Sequence, residues 1–437
     1  MISTVSRRGF PVGVSRRGFL AGSAALAMPM VARAQGAGSA ASARLVVVGG
    51  GFGGASAARF ARIAYPWLDV TLIEPQPRFV TCPYGNLVLA GLRGMDDITH
   101  SYDGLRARGV KLVQDWVDGI DPVAKTLRLR GGASIGYDRL ILSPGIALRW
   151  GAIEGYTEAA AQTIPHGWVP GDGGQITLLR RQLEAMEDGG VVGIAIPGNP
   201  FRCPPGPYER ISMIAHYLKR HKPKSKILAL DAKDAFSKQG LFQDGWKALY
   251  GDMIEWVPLS KDGRVMRVDV ATRTLETEFG AKHKVAVANV IPPQSAARIA
   301  IDAGLTDASG WVPVNPHTFE SRIAPGIHVV GDANNGAPMP KSGYVANNTA
   351  KQAVASAAAL LRGEAPPEAV YFNTCYSHVG EGYGISVVGI YRPTDTGIAE
   401  MPNAGGVSPR GDLPEQRRFE ALYADAWYRS ITQDAFA

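Results

Sequence analysis

ARLVVVGGGFGGASAARFARIA (43–64) is the stretch whose reading decides the fold. RLVVV is an apolar run suited to a strand buried on both faces. Gly49-x-Gly51-x-x-Gly54 follows directly and turns into an alanine-rich helix. VTLIEP (70–75) then supplies a second strand that ends on Glu74. Strand, glycine turn, helix and a strand-end acid at this spacing make a dinucleotide-binding unit. The glycines let the backbone approach a pyrophosphate at the positive helix N-terminus, and Glu74 takes ribose hydroxyls.

The bulk properties bound the rest. A chain of 437 residues has room for two or three domains with buried cores. Its formal charge is +7, but residues 1–34 hold five arginines and no acid, so the remainder carries only +2. A nucleic-acid partner loses its main support on that count. SRRGFLAG (15–22), the apolar ALAMPMVA and Ala32-Arg33-Ala34 follow one another as a twin-arginine signal peptide with a cleavage site. The apolar part is too short to span a bilayer, so no integral membrane segment is expected. The expected location is the periplasm, reached as a folded protein. Three cysteines (Cys82, Cys203, Cys375) leave one over after any disulfide, and an odd cysteine in an exported chain needs a role. The histidines show no metal-ligand clustering, and no C-x-x-C-H attaches a haem to this chain.

Two later segments choose the dinucleotide. YDRLILSPG (137–145) is a strand closing on Pro144-Gly145, and GIHVVGDAN (326–334) is a strand closing on Gly331-Asp332. Both resemble segments of flavin-dependent disulfide reductases, which implies FAD with Asp332 on its ribityl chain. The fold class expected is α/β, with two Rossmann-like domains and a C-terminal α+β flavin-binding domain. The FAD domain is discontinuous (44–160 and 285–365), a second Rossmann-like domain occupies 161–284, and 366–437 forms the C-terminal unit.

In the second domain the strand GGVVGIAIPG (189–198) should feed a helix over 210–221 through NPFRCPPGPYER (199–210). That turn lacks G-x-G-x-x-G, and its prolines remove backbone donors a pyrophosphate needs. No nicotinamide site is expected there. A cysteine stands in its place.

FVTCPYGNLVLAG (79–91), FRCPPGPYE (201–209) and FNTCYSHVGEGYGISVVGIYR (372–392) together resemble the flavoprotein subunit of flavocytochrome c sulfide dehydrogenase. The resemblance implies a thioether from Cys82 to FAD, a redox-active Cys203–Cys375 disulfide, and Glu209 as proton acceptor. It further implies sulfide as substrate and a separate c-type cytochrome subunit as electron acceptor. The residues alone leave alternatives: a buried thiol at Cys82, a structural staple for the pair, and a helix-terminal acid at Glu209. Trp427 fits an aromatic wall at the flavin or an ordinary core position. The rival readings of the whole chain are a sulfide:quinone oxidoreductase and a flavin-carrying accessory protein without turnover.

Overall fold

The computed structural model describes residues 42–169 and 171–437; the leader expected over 1–34 lies outside them. The chain begins with β1 (Arg44–Val48), α1 (Phe52–Ala64), β2 (Asp69–Ile73) and the short α2 (Gly85–Ala90). β3 (Lys111–Val113) and β4 (Arg139–Leu142) follow. β1 lies between β2 and β4, all parallel, with Val47 opposite both Leu72 and Ile141. Layers cover both faces of this sheet, which is why Leu45, Val46 and Val47 are all buried and the strand shows no polar alternation.

The second sheet is built next from β5 (Val191–Ile196), α3 (Gly206–His221), β6 (Lys226–Asp231), α4 (Gln239–Tyr250), β7 (Ile254–Val257) and β8 (Val287–Val290). Its strands run parallel in the order β7-β6-β5-β8. α3 starts at Gly206, four residues before the sequence suggested, because Pro207 falls within its first turn, where a missing N–H costs nothing. The chain then returns to the first sheet with β9 (Ile327–Val329), paired to β4. α5 (Gly343–Leu361) packs on α1 through small residues; Ala350, Ala353 and Ala357 are fully buried. Ser342 caps α5 by accepting from Val345 N at 3.1 Å.

A third layer closes the molecule. β10 (Tyr371–Gly380) and β11 (Tyr383–Pro393) form an antiparallel pair in which Cys375 lies opposite Val387. The long α6 (Pro414–Phe436) packs on β11 and reaches back to α1. Its terminal Phe436 stacks on His100 and Phe79, 5.2 and 5.4 Å between ring centroids. The class is therefore α/β with two parallel sheets and an antiparallel third layer, as the sequence implied. Among the described residues no helix is long and apolar enough to cross a membrane.

α6 can approach β11 because Gly384 has no side chain: a Cβ there would stand 2.4 Å from Ala421 N. Gly384→Val is expected to destabilise the protein by about 1–3 kcal/mol through overpacking, read as a lowered melting temperature; an unchanged melt would show that this contact is soft.

Candidate active site

The strand ends of the first sheet, the loop after β5 and the middle of β10 line one solvent-connected cleft. The glycine turn forms its polar end. Gly49 has φ 93°, and a Cβ on it would meet the Ser143 carbonyl at 2.2 Å; one on Gly54 would meet the Gly49 carbonyl at 1.7 Å. Gly51 differs, since a Cβ there has only the Phe79 ring near it, at 3.4 Å, and looks into the cleft. Glu74 accepts from Gly50 N at 2.6 Å and from Gln76 N at 2.9 Å. Burial raises its pKa and those two N–H groups oppose the rise. Pro144 and Gly145 line the wall after β4. Beyond β9, Gly331 and Asp332 line it too, and Asp332 Oδ1 is buried with no partner among the described residues. Burial pushes the Asp332 carboxyl up, against the pull of Arg202 and Lys341. A glycine cradle beside an orphaned carboxylate oxygen fits a pyrophosphate followed by a polyol, which is the middle of FAD.

Cys82, Cys203 and Cys375 all line the other end. Cys203 has φ 58°, a left-handed backbone rare outside glycine. Its N–H donates to the Lys341 carbonyl at 2.7 Å and its own carbonyl accepts from Gly206 N at 2.8 Å. All three cysteines are free thiols in the structure, so the Cys203–Cys375 bridge implied by resemblance is not formed in it. With Cys203, Arg202 and Arg210 nearby, the Cys82 thiol is held below its ordinary value despite its burial. Cys203 is correspondingly raised, by Cys82 beside it and by burial. Glu209 is oriented at both oxygens: Oε2 accepts from Asn86 Nδ2 at 2.7 Å and Oε1 from His378 N at 2.9 Å. Trp427 lines the cleft and neighbours Tyr344 and Tyr376, each 6.4 Å between centroids.

The cleft thus gathers every residue singled out from the sequence except Gly54, which acts from behind the turn. It also contains residues the sequence reading passed over. Asn86 and His378 hold Glu209, and Arg210 lies buried beneath the thiols, bonded to the carbonyls of His166 and Gly167. Asn86 was findable, four residues after Cys82 on the next helix; the others carry no local signal. At the end of β6, where a second dinucleotide would place its ribose, Asp231 is committed internally. It accepts from Tyr208 Oη at 2.6 Å, Trp256 Nε1 at 3.0 Å and Lys233 Nζ at 2.5 Å. Phe236 stacks on Tyr208 at 3.6 Å and seals the place. Among the described residues no group of His, Cys, Asp or Glu is arranged to hold a metal ion.

Comparison with known proteins agrees with this anatomy. Residues 176–292 match the central-domain model of the sulfide dehydrogenase (flavocytochrome c) flavoprotein chain, and 367–436 match the flavin-binding model of flavocytochrome c sulphide dehydrogenase. Residues 43–166 match the pyridine nucleotide-disulphide oxidoreductase model. A sulfide dehydrogenase flavoprotein chain from Chlorobaculum thiosulfatiphilum is 60% identical over 45 residues, 10% of this chain and 94% of that sequence. Mouse mitochondrial sulfide:quinone oxidoreductase is 23% identical over 67% of this chain and 65% of its own length. The solved sulfide:quinone oxidoreductase of Aquifex aeolicus superposes with a TM-score of 0.67 at 19% identity, covering 90% of this chain and 92% of that one. The fold is that of FAD-binding two-domain oxidoreductases, and FAD is the cofactor these domains hold.

In a Cys82→Ser background, which removes the thioether implied by resemblance, Asp332→Leu is expected to weaken flavin retention by roughly tenfold to a hundredfold, the worth of a hydrogen bond to a charged group. The ratio of flavin to protein absorbance after gel filtration measures it. Full flavin content in that variant would remove Asp332 from the binding site.

Proposed function

The chain belongs to the family of flavocytochrome c sulfide dehydrogenase flavoproteins, and from that premise we propose that it oxidises sulfide to zero-valent sulfur or polysulfide with a Cys203–Cys375 disulfide. The observation that carries the proposal is that both cysteines line the same end of the cleft, with Cys203 on the turn a nicotinamide would otherwise occupy. Hydrosulfide is a nucleophile at neutral pH and a disulfide sulfur is its electrophile. Attack on Cys203 Sγ forms a persulfide there and expels Cys375 as thiolate. Bound FAD supplies the sink for the two electrons that the sulfur atom gives up. Closing the Cys203–Cys375 bond again sheds zero-valent sulfur and one proton. Glu209, fixed between Asn86 and His378 on the cleft wall, accepts that proton.

Cys82 is proposed as the covalent link to FAD. A thiol held below its ordinary value forms the thiolate more readily, and the thiolate is the form that adds to an electrophilic carbon. The electrons then pass to a c-type cytochrome subunit, and the twin-arginine leader delivers the loaded protein to the periplasm. A second reading, sulfide:quinone oxidoreductase, is favoured by the similarity to the mouse enzyme over 67% of this chain.

Denatured protein is expected to keep its flavin on the polypeptide, and Cys82→Ser to release it; release from the unmutated chain would refute the link. Anaerobic sulfide should bleach the flavin, and cytochrome c should restore its colour. Restoration by quinone alone would favour the second reading. Cys203→Ser and Cys375→Ser should each retain flavin yet lose sulfide bleaching by at least about a hundredfold, as loss of a covalent catalyst does; near-normal bleaching in either would end the disulfide mechanism.

A further inference from the structure

Lys238 has no part in the chemistry described above. It stands immediately before α4 with φ 61°, and it is 6% exposed. Its Nζ donates to the Ser377 hydroxyl at 2.8 Å and to the Cys375 carbonyl at 3.4 Å. Its own carbonyl accepts from Phe242 N at 3.1 Å, so the backbone is pinned as well. An ammonium has three N–H donors, and the two partners named are neutral. Among the described residues it makes no ion pair with a carboxylate. A buried cation is tolerated where an anion is close by. The groups near it that can carry negative charge are the Cys375 sulfur, first among them, and the Glu209 carboxylate, which is already engaged by Asn86 and His378.

Building on the proposed sulfide-reducible cysteine pair, we propose that Lys238 is a positioning residue whose ammonium stabilises the Cys375 thiolate and so makes Cys375 the leaving sulfur. In the attack a bond forms between hydrosulfide and Cys203 Sγ, and the Sγ–Sγ bond breaks with its electron pair left on Cys375. Hydrosulfide plus disulfide gives Cys203 persulfide plus Cys375 thiolate, with one negative charge on each side. The thiol of lower pKa leaves faster, so the lysine decides which of two otherwise similar sulfurs is attacked. Burial raises the Cys375 thiol; Lys238 lowers it, while Glu209 on α3 and the Cys82 thiol raise it. Cys203 faces Cys82, Cys375 and Glu209 and is raised well above its ordinary value. Burial lowers Lys238 itself, while Cys375, Glu209, Cys203 and Glu420 on α6 oppose that; the Glu209 oxygens accept from Asn86 and His378, and those of Glu420 from Ser408 and Gln416. His378, further along β10, is kept toward its neutral form by burial.

The test is the pH dependence of Cys375 alkylation by iodoacetamide in flavin-loaded Cys203→Ser protein, read on the Cys375 peptide by mass spectrometry. Adding Lys238→Met should move the midpoint up by about one unit, slowing alkylation at neutral pH roughly tenfold. Lys238→Arg should leave the midpoint in place. An unchanged profile in Lys238→Met, with flavin content and melting temperature retained, overturns the proposal. Lys238→Gln, which keeps a donor for Ser377, gives the same two outcomes should the methionine variant fail to fold. No sulfide enters this measurement, so sulfide bleaching of the unmutated protein tests the underlying function separately.

Discussion

A backbone hydrogen bond from Cys203 N to the Lys341 carbonyl, 2.7 Å long, fastens the loop after β5 to the segment that follows β9. The two segments come from different sheets, so this bond is where the sulfur-bearing loop meets the cofactor-binding strands. Lys341 fixes both ends of the arrangement. Its Nζ donates to the carbonyls of Asp332 at 2.8 Å and Asn334 at 2.7 Å while lying 3.6 Å from the centre of the Trp311 ring. The orphaned carboxylate at one end of the cleft and the thiol at the other are thus referred to one residue. The left-handed backbone at Cys203 costs about 1–2 kcal/mol in a residue with a Cβ, and bonds at both its N–H and its carbonyl offset that. Glycine would relieve the strain and remove the sulfur.

How much of this could be read in the sequence follows from how far apart the partners lie along the chain. The glycine turn, Glu74 and the strands around them are local features, fixed by neighbours within a few dozen residues, and they stand where the pattern put them. Gly331-Asp332 was legible because a strand closing on that pair has few other uses in such a fold. α3 begins four residues before the expected 210 because proline is favoured in a helix's first turn, which extends the helix into the loop. The inner wall was not legible. Asn86 reaches Glu209 across 123 residues and Lys238 reaches Ser377 across 139, and neither has a sequence neighbour that announces the contact. The cysteine pairing came from family resemblance, since three cysteines allow three pairings and spacing cannot choose among them.

Charge accounts for why the thiols stand where they do. Arg210 is 4% exposed and stacks over Trp168 at 5.1 Å. It donates to Asn86 Oδ1 at 3.2 Å, His166 O at 2.8 Å and Asn289 Oδ1 at 3.0 Å, all of them neutral acceptors. Lys238 repeats the pattern on the opposite wall, with a hydroxyl and a carbonyl for partners. Among the described residues neither cation forms an ion pair with a carboxylate, although an uncompensated buried charge costs several kcal/mol. Each cation has cysteines near it, Cys82 and Cys203 for Arg210, Cys375 and Cys203 for Lys238, and Glu209 acts on both. A nicotinamide enzyme would bring its negative charge with the cofactor's pyrophosphate, bound at the end of β5. Here Asp231 is enclosed by Tyr208, Trp256 and Lys233, and on the proposed reading the anions are made in place. On reduction the Cys203 and Cys375 sulfurs can supply them, adding negative charge beside cations on which the Glu209 carboxylate already acts.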